Sequence, residues 1–284
     1  DYACAVTAAG SIIGPTIPPS GLMVIYGSLL NVSIGALFAA GILPGLMICV
    51  VCMVVIRIGA NANNLPAKEK RAGIMQILTE FKASILAMIM PLIILGGILG
   101  GIVTPTEAAS IAVGYALFVG AVIYRSITVA DLYGMLVRTA RITGVIFVII
   151  GFATILGWWL SFNQIPQNIA TQMGAMSDNP YVIIAMIMGF LLVVGMVMDI
   201  TATLIIVAPV LVPLTNSIGM DPVHAGIMII LALNISLMTP PVGACLFVLS
   251  SVTGEKLERI AMKLWPFLIA ETLIMVIFAF SDDL

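Results

Sequence analysis

Apolar positions along this chain run in long blocks and do not alternate with polar ones. Residues 36–56, 83–103, 108–124 and 142–160 are each close to the ~20 mostly apolar residues that cross a bilayer. Residues 264–280 form a shorter fifth block. Three further stretches are apolar but interrupted: 3–30 at Pro15 and Pro18-Pro19, 182–214 at Asp199, and 223–252 at Thr239-Pro240-Pro241. Lipid admits only helices or closed barrels. With no period-two alternation in the long runs, the pattern predicts an all-α integral membrane protein.

Lengths within the interrupted stretches add detail. The limbs 182–198 and 201–214 reach about 25 Å and 21 Å at 1.5 Å rise per residue. Neither comfortably crosses ~30 Å of hydrocarbon. With Asp199 between them they read as a re-entrant hairpin with its tip at mid-membrane, tolerable where protein or water covers it.

Composition agrees: 62% of residues are apolar and 8% charged, against roughly half and a quarter in soluble domains. No basic stripe suggests nucleic acid. Positive charge orients the spans. Arg57, Lys68, Lys70, Arg71 and Lys82 share one loop, which is therefore expected to be cytoplasmic. Arg125, Arg138 and Arg141 fall inside again, as do Lys256, Arg259 and Lys263. Residues 161–180 carry no Lys or Arg and are expected outside, next to an interfacial Trp158-Trp159 pair. No starting Met or signal-peptide pattern appears at Asp1, so the chain is expected to be a piece of a longer one.

The two proline breaks match. Pro18 and Pro240 are 222 positions apart, as are Pro44 and Pro266. Between each break and its later proline lies a stretch that fits along the interface, 33–43 and 255–265; the first fits the start of the next span equally well. The first broken helix must run outward and the second inward. That is the inverted-repeat signature of secondary transporters, whose discontinuous helices meet near the midplane. A first-copy hairpin is expected before Asp1.

At this point a family resemblance is visible. Gly14-Pro15-Thr16-Ile17-Pro18-Pro19-Ser20 with Ile25-Tyr26-Gly27, Thr104-Pro105-Thr106-Glu107-Ala108-Ala109, Gly195-Met196-Val197-Met198-Asp199, and Leu237-Met238-Thr239-Pro240-Pro241-Val242-Gly243 occur in that order. The chain thereby resembles the large membrane subunit of tripartite ATP-independent periplasmic (TRAP) transporters. The resemblance implies sodium-driven uptake of an organic anion, with sialic acid favoured over C4-dicarboxylates and other sugar acids. It implies a periplasmic substrate-binding protein, a small four-helix membrane subunit, sometimes fused, and a place in the bacterial inner membrane. No cofactor beyond coupling sodium ions is implied. It also implies an elevator-type fold in which a transport domain (1–31 and 142–252) slides against a scaffold (32–141 and 253–284).

The residues themselves support such chemistry. An unwound helix frees carbonyls for sodium, and freed N–H groups attract a carboxylate. Gly10, Ser11, Gly14, Pro18, Pro19 and Ser20 supply one break; Asn234, Ser236, Thr239, Pro240, Pro241 and Gly243 supply the other. Asp199 is the strongest single candidate, since a carboxylate at bilayer depth is expected to pair or to contact an ion. Thr201 and Thr203 add hydroxyls beside it. Asp199 also fits as the N-cap of the second limb, and both roles are compatible.

Other residues read blandly. Cys49 and Cys52 form a C-x-x-C inside an apolar run, where small apolar packing is expected rather than redox or metal chemistry. Glu271 lies within a span; Lys263 on the same helix is two turns away, a doubtful partner. Glu107 is expected to serve the first turn of its helix. His224, the only histidine, is expected to be satisfied at a surface. The methionines of 186–198 suit adaptable packing. A channel or uncoupled pore is the competing function, but internal two-fold pseudo-symmetry argues against it. An intramembrane enzyme would need paired acids, a Ser with a base, or a His metal motif, and none is present.

Overall fold

A computed structural model describes residues 1–60, 73–164, 168, 179–240 and 243–281. The described residues are nearly all helical, and none forms a strand. Packing divides the chain into two compact units, Asp1–Gly59 with Ile146–Leu284, and Ala60–Val145.

In the first unit, α1 (Tyr2–Ser11), α2 (Ile13–Thr16) and α3 (Gly21–Leu30) form the first interrupted stretch, bent by 40°. Next comes α4 (Ile34–Gly59). In the second unit, α5 (Ile74–Leu99) precedes α6 (Pro105–Phe118), which a π turn at Val119–Ile123 extends. Helix α7 (Val129–Phe162) begins there and ends in the first unit. The first unit continues with α8 (Pro180–Gly195), α9 (Ile200–Ser217), α10 (Pro222–Ser236), α11 (Ala244–Thr253) and α12 (Leu257–Ala279).

Five of the described helices are long and apolar enough to cross a membrane, or seven if each bent pair counts as one span. Their faces carry bare apolar side chains such as Ile58, Val113, Phe152 and Met262. A lipid solvent accepts such surface at no cost, whereas water does not.

Helix starts follow local chemistry. Thr104 and Glu107 make a reciprocal capping box: the Thr104 N–H donates to Glu107 Oε2 at 2.8 Å, and the Glu107 N–H to Thr104 Oγ1 at 3.3 Å. This is the first-turn role expected of Glu107. Thr128 and Asp131 repeat the pattern before α7. Asn179 and Asp221 cap α8 and α10, each followed by a proline at the first helical position.

Helices α5 and α7 start well before the apolar blocks at 83 and 142. Hydropathy marks what lipid covers, while caps decide where a helix begins. The separate interfacial segment expected over 255–265 is instead the opening of α12, with Pro266 inside the helix. Likewise 33–43 joins α4 as the start of that span, with Pro44 inside it. A lone proline removes one backbone bond and kinks a long helix, and apolar neighbours hold the rest together.

The core of the first unit is α10. Every residue from Ala225 to Ser236 is buried. It packs against α3, α4, α8, α9 and α12. Gly226 makes room on one side, because a Cβ there would lie 2.6 Å from the Tyr26 ring. The Tyr26 hydroxyl donates to the Pro222 carbonyl at 2.8 Å, fixing α3 to the start of α10.

Candidate functional site

The first break lies between α2 and α3. Ile17 turns extended, the Pro18–Pro19 bond is cis, and Ser20 precedes α3. Proline supplies no N–H, so the helical ladder stops here. The Ser20 hydroxyl donates to the Pro15 carbonyl, and Thr16 Oγ1 donates to the Ile12 carbonyl at 2.7 Å. Thr16, Pro18 and Ser20 are buried, while Gly10, Ser11, Gly14 and Pro19 are exposed. No neighbouring atom lies within 4 Å of where a Cβ would stand at Gly10 or Gly14.

The second break follows α10. Leu237–Pro240 form turns, and Gly243 opens α11 with φ +38°, a conformation that suits glycine. The Cys245 N–H reaches back across the break to the Leu237 carbonyl at 3.2 Å. Thr239 Oγ1 donates to the Ile235 carbonyl at 2.7 Å, and Ser236 Oγ to Leu233 at 2.7 Å. Pro241, also expected here, lies outside the described residues.

Three contacts tie these parts together. Asn234 Nδ2 donates to Thr16 Oγ1 at 3.0 Å, both side chains buried, so the two breaks touch directly. The carbonyl oxygen of the same amide, Oδ1, is buried without a partner among the described residues. Ser11 Oγ and Cys245 Sγ stand 3.4 Å apart, joining α1 to α11. Gly195, the last residue of α8, lies flush on Ser236: a Cβ there would fall 2.0 Å from the serine hydroxyl.

Asp199 stands between α8 and α9 as the N-cap of α9. Its Oδ1 accepts from the N–H groups of Thr201 at 2.9 Å and Ala202 at 3.2 Å. The capping role is thus present. Its side chain is exposed, and among the described residues it has no hydrogen bond to another expected site residue beyond these backbone groups. Thr203 is buried and donates to the Asp199 carbonyl at 2.8 Å, and Thr201 is half-buried.

An open groove of about 420 Å³ lies beside the second break, with Met196, Thr239, Trp265 and Thr272 among its walls. Those two threonines are the hydroxyls of a lining that is otherwise apolar.

Thr16, Gly195 and Cys245 were not among the expected site residues. Thr16 and Gly195 sat inside motifs already singled out, and their small or hydroxyl side chains were the available signal. His224 is satisfied as expected, its Nε2 lying 2.7 Å from the Phe278 carbonyl. Cys52 is a buried free thiol, yet its role is not purely apolar. It donates to Glu271 Oε1 at 3.2 Å, so the partner of Glu271 is Cys52 on α4 and not Lys263.

The model of the DctM component of the tripartite ATP-independent periplasmic transporter matches residues 1–284. The chain belongs to the DctM family. It is similar to the 2,3-diketo-L-gulonate TRAP transporter large permease protein YiaN of Escherichia coli (strain K12), 38% identical over 282 residues, 99% of this chain and 66% of the relative. The sialic acid TRAP transporter large permease protein SiaM of Vibrio cholerae is 37% identical over 282 residues, 98% of this chain and 65% of that protein. The C4-dicarboxylate TRAP transporter large permease protein DctM of Pseudomonas aeruginosa is 34% identical over 276 residues, 97% of this chain and 64% of its own length. The chain spans about two thirds of the curated relatives it matches. Membership in the DctM family and the apolar helices together make it a multi-pass protein of the bacterial inner membrane.

Proposed function

We propose that the chain is the greater part of the large permease of a sodium-coupled secondary transporter that takes up an organic anion delivered by a periplasmic binding protein. The contact between Asn234 and Thr16 is the observation that carries this reading. It brings two helix breaks from distant parts of the sequence to one place, where freed backbone groups can serve a cation and a carboxylate at once.

On this reading the breaks supply carbonyl and hydroxyl oxygens to sodium: Gly10, Ser11, Gly14, Pro18, Pro19 and Ser20 from one, and Asn234, Ser236, Thr239, Pro240, Pro241 and Gly243 from the other. Asp199 adds charge at the hairpin tip, with Thr201 and Thr203 beside it. The two copies are inverted repeats, 182–214 is a re-entrant hairpin, and the parts 1–31 and 142–252 move as an elevator against 32–141 and 253–284. A small four-helix membrane subunit, separate or fused, braces the scaffold. Sialic acid is the favoured cargo, supported by the similarity to a sialic acid permease. The similarity to diketogulonate and C4-dicarboxylate permeases keeps the wider class of carboxylates in play.

The test is uptake into proteoliposomes holding the full-length permease and its small subunit, with the binding protein supplied outside. We expect sialic acid to accumulate under an inward sodium gradient and to stay at equilibrium when choline replaces sodium. Downhill flux without the binding protein, indifferent to sodium, would overturn the reading in favour of an uncoupled pore.

A further inference from the structure

Glu271 is an acid that the transport reading does not use. It lies beyond the middle of α12, fully buried, at the seam with α4. Its Oε1 accepts from the Cys52 thiol at 3.2 Å, while Oε2 is buried with no hydrogen-bond partner among the described residues. A thiol is a weak donor. A carboxylate removed from water needs a compensating positive charge or full hydrogen bonding to persist. Cys52 alone supplies neither.

No titratable group on the elements packed against α12 fills that need. On α4, Cys49 precedes Cys52 by one turn, and Arg57 stands exposed in the last turn, five residues beyond it. On α1, the Cys4 thiol donates to Thr253 at 3.7 Å. The Tyr2 hydroxyl is itself buried and without a partner, its ring 6.1 Å from that of Phe267, one turn from Glu271. On α10, His224 is engaged at the Phe278 carbonyl, and on α11 Cys245 faces Ser11. On α12 itself, Glu258 and Arg259 are exposed near its start, and Lys263 precedes Glu271 by eight residues, about 12 Å of helix rise.

We propose that Glu271 Oε2 holds a small cation, either a proton or a sodium-sized monovalent ion, at the α4–α12 seam and apart from the two helix breaks. Because Cys52 donates to Oε1, that oxygen is the carbonyl-like one and the positive charge belongs on Oε2. The site is independent of the transport reading, since it uses none of the residues assigned to the breaks.

Infrared spectroscopy of the purified full-length permease with its small subunit separates the two sources. Spectra would be recorded at neutral pH with choline and then with sodium, for wild type, Glu271→Gln and Cys52→Ala. If the cation is a proton, wild type has a carboxylic-acid C=O band that ignores sodium, disappears in Glu271→Gln and moves to higher frequency in Cys52→Ala. If it is sodium, that band is present in choline and lost on adding sodium, and Glu271→Gln lacks the change. A spectrum with no acid band from Glu271 in choline and no sodium-dependent carboxylate signal would overturn the proposal. Should Glu271→Gln fail to fold, the Cys52→Ala frequency shift still decides it: a wild-type acid band unmoved by loss of the thiol does not come from Glu271.

Discussion

Asn234 and Thr16 share a buried hydrogen bond of 3.0 Å across 218 positions of sequence. Thr16 is already donating to the Ile12 carbonyl, so its oxygen accepts from the amide while its proton is spent locally. The contact is therefore asymmetric. Removing Asn234 leaves the threonine still bonded, whereas removing the Thr16 hydroxyl leaves the buried amide without a partner.

That asymmetry predicts unequal costs. Thr16→Val should lower stability by about 1–3 kcal/mol, the range for a stranded buried polar group. In an Asn234→Ala background the same change should cost clearly less. Unfolding of the four proteins of the cycle in detergent measures the coupling, and additive effects would mean that the bond contributes nothing.

Gly195→Ala places a methyl group where the Ser236 hydroxyl stands. Overpacking of this kind costs roughly 1–3 kcal/mol. Adding Ser236→Gly should recover most of the lost thermal stability, because it removes the two nearest atoms, the serine Oγ and Cβ, and leaves the Leu233 Cδ2, at 3.3 Å, as the next nearest. A single variant as stable as wild type would show that the end of α8 and α10 are not in close contact.

Asp199→Asn tests charge rather than shape, since the amide keeps the cap to Thr201 and Ala202. Expression should stay near wild type, while half-maximal uptake should require several-fold more sodium. Uptake unchanged at every sodium concentration would leave Asp199 as a cap and nothing more.

Cysteines placed at Asn63 and Asn168 in a background lacking the four native ones should react with an impermeant thiol reagent from opposite faces of the membrane. The basis is the clustering of Arg57, Lys68, Lys70, Arg71 and Lys82 before the second block, against the absence of Lys and Arg over 161–180. Labelling of both from one face would remove the inverted arrangement.

Helical architecture was legible because lipid leaves few alternatives, and apolar block length states the span directly. Helix starts were less so: α7 begins thirteen residues before its block, since a Thr128–Asp131 cap and charged residues such as Arg138 suit the aqueous flank. Both breaks were readable from Pro18-Pro19 and Pro240-Pro241, because proline acts through backbone it cannot bond. Their contact was not readable. Which small residue meets which depends on tertiary packing, so Thr16 looked like one motif residue among several and Gly195 like a generic helix end. Glu271 was visible as an acid in a span, but its partner sits on another helix, beyond any i, i+4 rule.

The burial of α10 on every side bears on how the protein meets membranes of different thickness. At 15 residues the helix is about 22 Å long, and from Ala225 to Ser236 it is sheathed by protein. Helix α4, with 26 residues, and α12, with 23, carry exposed apolar faces, so a thicker or thinner bilayer acts on them by tilt and local deformation. From Ala225 to Ser236 α10 presents no surface to lipid, so hydrophobic mismatch reaches that stretch through its neighbours. Substitutions on the outer faces of α4 and α12 should therefore alter the lipid preference of the protein, while those in α10 alter its integrity in any lipid.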